Sequence, residues 1–152
     1  MCVIVDNDVV SRVLLHSDDS DYRVMHRALF GRRRPYARIV YGGKLAREYA
    51  KSEKIRRAIA VLDRAARARV VSDDAIAHQA QWAEASGFVR SNDAHVIGLA
   101  RASGARILCS EDALLRDDFR DRRLVPAPRG RIFSNDGHAH MIRADCADVV
   151  DT

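Results

Sequence analysis

Apolar positions recur along this chain in two rhythms. Short continuous apolar runs bounded by polar or turn residues read as buried strands, and apolar residues spaced three and four apart read as helices. Cys2 to Val5 is such a run, ended by Asp6, and predicts a first strand. A helix over Asp8–Leu15 with Asp8 as N-cap follows, then a second one capped by Ser20 or Asp21 and reaching about Phe30. Gly31–Tyr36, closed by Pro35, predicts a loop. Arg38–Tyr41 predicts a second strand ended by Gly42-Gly43. From Lys44 to about Arg69, Leu45, Ile55, Ile59 and Leu62 predict one long helix, and Val70-Val71 a weak third strand. Asp73 or Asp74 is placed to cap a helix through about Ser86, stopped by Gly87. Ser91-Asn92-Asp93 predicts another N-terminus, with Val96, Ile97, Leu99 and Ala100 as the apolar face and Gly104 as the stop. Arg106–Cys109 predicts a fourth strand, with a short helix after Asp112 to about Phe119, and Leu124-Val125 a fifth before Pro126 and Pro128. Residues 129–152 carry no clear pattern.

Short apolar strands alternating with helices imply βαβ units and a mostly parallel sheet covered on both faces, an α/β class. Right-handed crossovers carry every strand C-terminus to one edge, where ligands of such sheets bind. With 152 residues the chain is expected to be one domain, with a core over 1–126 and a C-terminal extension over 127–152.

Composition narrows the class. Hydrophobic residues make up 47% and charged residues 31%, the balance of a soluble globular protein. No apolar run approaches the roughly 20 residues of a membrane helix, and the opening MCVIVDND has no basic segment of a signal peptide. A cytoplasmic location without membrane association is therefore expected. The three cysteines, Cys2, Cys109 and Cys146, form no C-x-x-C pair, which argues against a disulfide framework; Cys2 and Cys109 are expected to be small core residues. The net charge is +5, and arginine supplies nearly all of the basic side chains. Such a balance fits either a polyanion partner or an ordinary solvated surface.

The acids change the picture. Asp6 and Asp112 follow the first and fourth strands, so both fall at the sheet's C-terminal edge. Asp93 opens the helix that leads into the fourth strand, and Glu48 lies one turn into the helix after the second; both can share that edge. Carboxylates gathered there repel one another without a counter-charge. Hard cations such as Mg²⁺ or Mn²⁺ prefer oxygen ligands and are the natural solution. Taken singly, each acid also has an ordinary explanation: a strand-end cap for Asp6, a macrodipole partner for Asp93, a helix ion pair with Lys44 or Lys51 for Glu48.

Three segments, Cys2-Val-Ile-Val-Asp6, Ser91-Asn-Asp-Ala-His-Val-Ile-Gly-Leu-Ala100, and Arg106-Ile-Leu-Cys-Ser-Glu-Asp112 with Phe119, resemble the PIN-domain family in order and spacing over about residues 1–126. The resemblance implies an α/β/α sandwich with strand order 3-2-1-4-5. It also implies a metal-dependent endoribonuclease whose acids are Asp6, Glu48, Asp93 and Asp112, holding Mg²⁺ or Mn²⁺. Ser110 matches the hydroxyl residue often found before the fourth acid, while Asp8 departs from the Asn, Ser or Thr usual two residues after the first. Asp117 or Asp118 is an outer acid, and Glu53 the alternative to Glu48. RNA is the implied partner. An antitoxin protein, in a toxin–antitoxin pair, and a second copy in a homodimer are further possibilities that the family brings.

Two other functions compete. Asp6-Asn7-Asp8-Val9 also fits the D-x-D-x-V of haloacid-dehalogenase-like phosphatases, but no lysine follows Lys54 to neutralise a phosphate. The alternative to an enzyme is a PIN-like module that binds RNA or protein without cutting. Arg32, Arg33 and Arg34 beside Tyr36 are the expected phosphate grip. Trp82 is expected to pack, His95 to pack or face solvent, and His138-Ala-His140 to form a surface turn entering a last helix.

Overall fold

The computed structural model describes residues 1–142; Cys146 and the rest of the extension from residue 143 lie outside the described residues. The strands are β1 (Cys2–Val5), β2 (Arg38–Gly42), β3 (Ala68–Val71), β4 (Ile107–Cys109) and β5 (Arg131–Ile132). The helices are α1 (Val10–Leu15), α2 (Arg23–Phe30), α3 (Gly43–Ala50), α4 (Glu53–Arg64), α5 (Asp73–Ala85), α6 (Ala94–Ser103) and α7 (Ala113–Arg120), and a 3-10 helix spans Asp136–Met141. The five strands form one sheet in the order β3-β2-β1-β4-β5, every pairing parallel. β1 is central and wholly buried. That is why its sequence is a continuous apolar run instead of an alternation. The order reverses direction after β3, so right-handed crossovers place α1, α2 and α4 on the face opposite α5–α7, while α3 also packs against α5 and α6.

Several boundaries differ from expectation. The long helix is two, α3 and α4, broken at Lys51-Ser52. Leu45 and Tyr49 set the buried face of α3, and continuing that face would bury Ser52 and Arg56. A break resets the phase to Ile55, Ala58, Ile59 and Leu62, and the Ser52 hydroxyl accepts from the Ile55 N–H at 3.3 Å to cap the new helix. Asp8 does not cap α1, whose N-cap position is Val9, and neither Ser20 nor Asp21 caps α2. The Val24 N–H at the start of α2 donates instead to Asp136 at 2.9 Å. Ser72, not Asp73 or Asp74, caps α5. The fifth strand is Arg131–Ile132, inside the segment expected to be an extension. Leu124 and Val125 are fully buried but lie in a turn, both N–H groups donating to the Asp121 carbonyl. A two-residue edge strand has too little pattern to be read from sequence. His138 and His140 lie in the 3-10 helix, capped by Asn135. Cys109 is a free, buried thiol as expected, whereas Cys2, though buried, is disulfide-bonded. Among the described residues no helix is long and apolar enough to cross a membrane.

Candidate active site

The C-terminal ends of β1 and β4 lie side by side, Val5 opposite Cys109, so the residues that follow each strand meet at the sheet's rim. The Asp6 N–H donates to the Cys109 carbonyl at 2.9 Å, extending the ladder by one step. This turns a carboxylate into the end of a central strand, where it is only 8% exposed. One oxygen accepts from the Asn7 N–H at 2.8 Å and the other from the Ser110 hydroxyl at 2.8 Å. Burial raises the Asp6 pKa to about 6; the Ser110 and Asn7 hydrogen bonds oppose the rise, and the nearby charges of Asp8 and Asp93 add to it. A charged group is thus held in place where its charge is penalised, a pattern concentrated at functional sites.

Ser110 links two acids. Its oxygen also accepts from the Asp112 N–H at 3.1 Å, tying the start of α7 to Asp6. Asp112 is the N-cap of α7, one oxygen accepting from the Leu115 N–H at 3.0 Å. Asp8 is exposed and one of its oxygens accepts from the Glu111 N–H at 3.0 Å, so it braces the same loop. Burial raises its pKa first, with Glu111 and Asp112 charges contributing. Asp93 takes the N-cap position of α6, where its own N–H donates to the Ser91 hydroxyl at 3.2 Å and its side chain makes no cap bond. The Asp93 carboxylate is therefore left for other partners. His95 sits beside it, Nδ1 4.0 Å from Asp93, and its buried Nε2 has no hydrogen-bond partner among the described residues. Burial lowers the His95 pKa; Asp93 opposes this, and Lys44 and Arg47 reinforce it.

Glu48 is half-buried on α3 and acts electrostatically on Tyr49, as does Asp6. The Tyr49 hydroxyl donates to the Val5 carbonyl, so α3 is pinned to the end of β1 directly before Asp6. Glu53 starts the next helix and pairs with Arg57 at the surface, away from this arrangement. Asp118 is buried and accepts from the backbone N–H groups of Arg90 and Ser91 at 2.9–3.2 Å. Its oxygens thus hold the segment that delivers Asp93. Asp117 pairs with Arg120 at the surface.

Arg32, Arg33 and Arg34 are not at this rim. The Met1 ammonium donates to the Tyr36 carbonyl at 3.3 Å and the Arg38 N–H to the Met1 carbonyl at 2.8 Å, so their loop lies at the N-terminal end of β1 and β2. At about 3.3 Å per residue along β1, that is roughly 16 Å from Asp6. Tyr36 is already stacked under Arg67, whose guanidinium carbon lies 4.1 Å from the ring centre. The triplet cannot grip the same phosphate as the acids. Sequence alone missed the cations that do stand near them. Lys44 and Arg47 both act on His95, and Arg116 donates to the Ser110 carbonyl. These are scattered single residues, and only the topology gathers them.

The donors fit a hard divalent cation in chemistry. They are carboxylate oxygens, and among the described residues none of Asp6, Asp8, Glu48 or Asp112 has an ion-pair partner. The side chains as they stand are not drawn around one point: among the described residues no three such groups are close enough to hold an ion together. Asp6 with Asp93 and Asp112 are the groups from which such a site would be closed.

No family model matches the chain, and no curated protein matches it. Among solved structures, the crystal structure of VapBC2 from Rickettsia felis bound to a DNA fragment from their promoter is similar over 88% of this chain and 100% of the other, with 14% identity and a TM-score of 0.47.

Proposed function

We propose that this chain is a metal-dependent endoribonuclease that hydrolyses RNA phosphodiester bonds using Mg²⁺ or Mn²⁺. The observation that carries the reading is Asp6. It is a buried carboxylate with a raised pKa and no cationic partner among the described residues, joined through one hydroxyl to the loop of a second acid. Asp6 and Asp112 would hold the metal, with Asp93 and Glu48 as further direct or water-mediated ligands. A bound divalent cation supplies a water of lowered pKa and neutralises charge growing on the phosphate. Ser110 keeps one Asp6 oxygen oriented, Asp118 fixes the approach to Asp93, and Asp8 braces the Glu111 backbone. The lack of any lysine after Lys54 argues against a dehalogenase-like phosphatase, which needs one to neutralise its phosphate. The family resemblance supports the role of a toxin in a toxin–antitoxin pair, with an antitoxin protein as partner.

One observation favours a second reading, a non-catalytic RNA-binding module: the acids are not clustered tightly enough to share an ion as they stand. A single experiment separates the three. The protein is incubated with structured RNA or with p-nitrophenyl phosphate in Mg²⁺, in Mn²⁺ and in chelator. We expect metal-dependent RNA cuts that Asp6→Asn and Asp112→Asn abolish, and no nitrophenol. RNA binding without cutting under every divalent metal would establish the binding module. Turnover of the small phosphate with RNA intact would establish the phosphatase.

A further inference from the structure

A groove of about 450 Å³ lies between α7 and the edge strand β5, lined by Arg116, Arg120, Arg129, Arg131, Ser134 and His138. Arg120 is paired with Asp117 at 3.0 Å. Among the described residues Arg116, Arg129 and Arg131 have no carboxylate partner, so the groove carries uncompensated positive charge. One residue joins the groove to the acidic rim. Arg116 lines it while its guanidinium donates to the carbonyl of Ser110, whose hydroxyl binds Asp6. From there Arg116 and Arg120 follow one face of α7, one turn apart. β5 runs beside β4 in parallel register, Ile107 opposite Arg131, so Arg129 and Arg131 occupy the end of the groove away from the acids, while Ser134 lies back toward them.

We propose that this groove holds the ribose–phosphate backbone of a single-stranded RNA as it leaves the acidic site. The inference rests on the ribonuclease reading and names the form of its substrate. Planar guanidinium groups suit bidentate phosphate contact, and phosphate contacts fix register without reading sequence. A row of guanidinium groups along one helix and one edge strand matches the single phosphate row of one RNA strand. Four acids at the rim repel the RNA, and the arginine track provides the attraction that offsets them. It assigns to Arg116, Arg120, Arg129 and Arg131 the grip expected of Arg32, Arg33 and Arg34.

The test uses a short fluorescent single-stranded RNA and the full chain in chelator, read by anisotropy across a salt series. Arg129→Gln with Arg131→Gln keeps the first two methylenes of each stem, removes the charge and touches no acid. It should weaken binding on the order of tenfold at low salt. It should also make the plot of log affinity against log salt shallower by about 1.4, near 0.7 for every phosphate of a single strand that is no longer neutralised. The double Arg→Lys variant should restore most of the slope, which separates charge from folding damage. In metal, with RNA and protein both below saturation, cleavage of the same RNA should slow in step with the lost binding. If the Gln variant binds with wild-type affinity and slope while RNA is still cut, the groove is overturned and the ribonuclease reading stands. If binding falls as described but no metal supports cutting, the ribonuclease reading fails and the groove stands. Equal binding of duplex RNA, equally weakened, overturns the single-strand assignment, and no RNA binding by the wild type overturns both.

Discussion

Asp6 carries a cost that only a ligand can recover. Its pKa is about 6 in the folded chain against 3.8 for an ordinary Asp, mainly because burial disfavours the charge. Between those values the folded state keeps a proton that the unfolded state has released, so raising pH through this window destabilises the fold. In chelator, Asp6→Asn should therefore melt above the wild type at pH 8, by on the order of 1–3 kcal/mol. The gain should shrink as pH falls from 6 toward 4. A difference that stays constant over that range would show that Asp6 is not the penalised group. Millimolar Mn²⁺ should raise the wild-type melting temperature, and Asp6→Asn with Asp93→Asn should remove the rise. Asp118 has the opposite balance, since its buried oxygens satisfy the N–H groups of Arg90 and Ser91. Asp118→Ala orphans both and should cost about 2–3 kcal/mol in denaturant unfolding. It should also loosen Asp93, so that the Mn²⁺-induced rise in melting temperature shrinks even in the folded fraction.

Between elements, close approaches are set by glycine and by tertiary caps. A Cβ on Gly98 of α6 would meet the Ile76 carbonyl oxygen at 2.6 Å and the Ala80 nitrogen at 2.8 Å on α5. These are backbone atoms and cannot rotate away. Gly98→Ala should force α5 and α6 apart and lower stability by at least about 2 kcal/mol, although alanine is the better helix former. A thermal melt equal to the wild type would mean that the helices cross less tightly. Ser52→Ala should cost about 1 kcal/mol by removing the cap of α4. The cap that Asp136 gives α2 comes from more than a hundred residues away, and no local pattern could have announced it.

Across the whole molecule the acids and the arginine triplet stand at opposite rims. The acids stand where the strands end, and Arg32, Arg33 and Arg34 where β1 and β2 begin. Replacing those three arginines with Ala should leave the single-turnover cleavage of a short RNA within about twofold of wild type, because they lie too far away to touch the reacting phosphate. A loss of more than tenfold would require the RNA to wrap around to the far rim. Asp112→Asn should abolish cutting yet preserve or tighten RNA binding in chelator, since it removes a charge that repels the backbone.

The sequence by itself determined the class of the fold and where the candidate acids fall along the chain. Buried parallel strands read as continuous apolar runs, and Asp6 and Asp112 follow directly from where such runs stop. Asp93 is legible because N-cap residues have a local signature. What is local in the chain is local in its physics. The tertiary structure alone decided the rest: that Ser110 bridges Asp6 to Asp112, that Asp118 positions the Asp93 segment, and that β5 comes from Arg131–Ile132. It also decided which arginines face the acids. An arginine's sequence neighbours do not reveal its rim, because crossover connections carry adjacent segments to opposite ends of a parallel sheet. Arg32, Arg33 and Arg34 are conspicuous as a run but distant, whereas Arg116 is inconspicuous yet bonded to the Ser110 carbonyl, and only the sheet order could tell them apart.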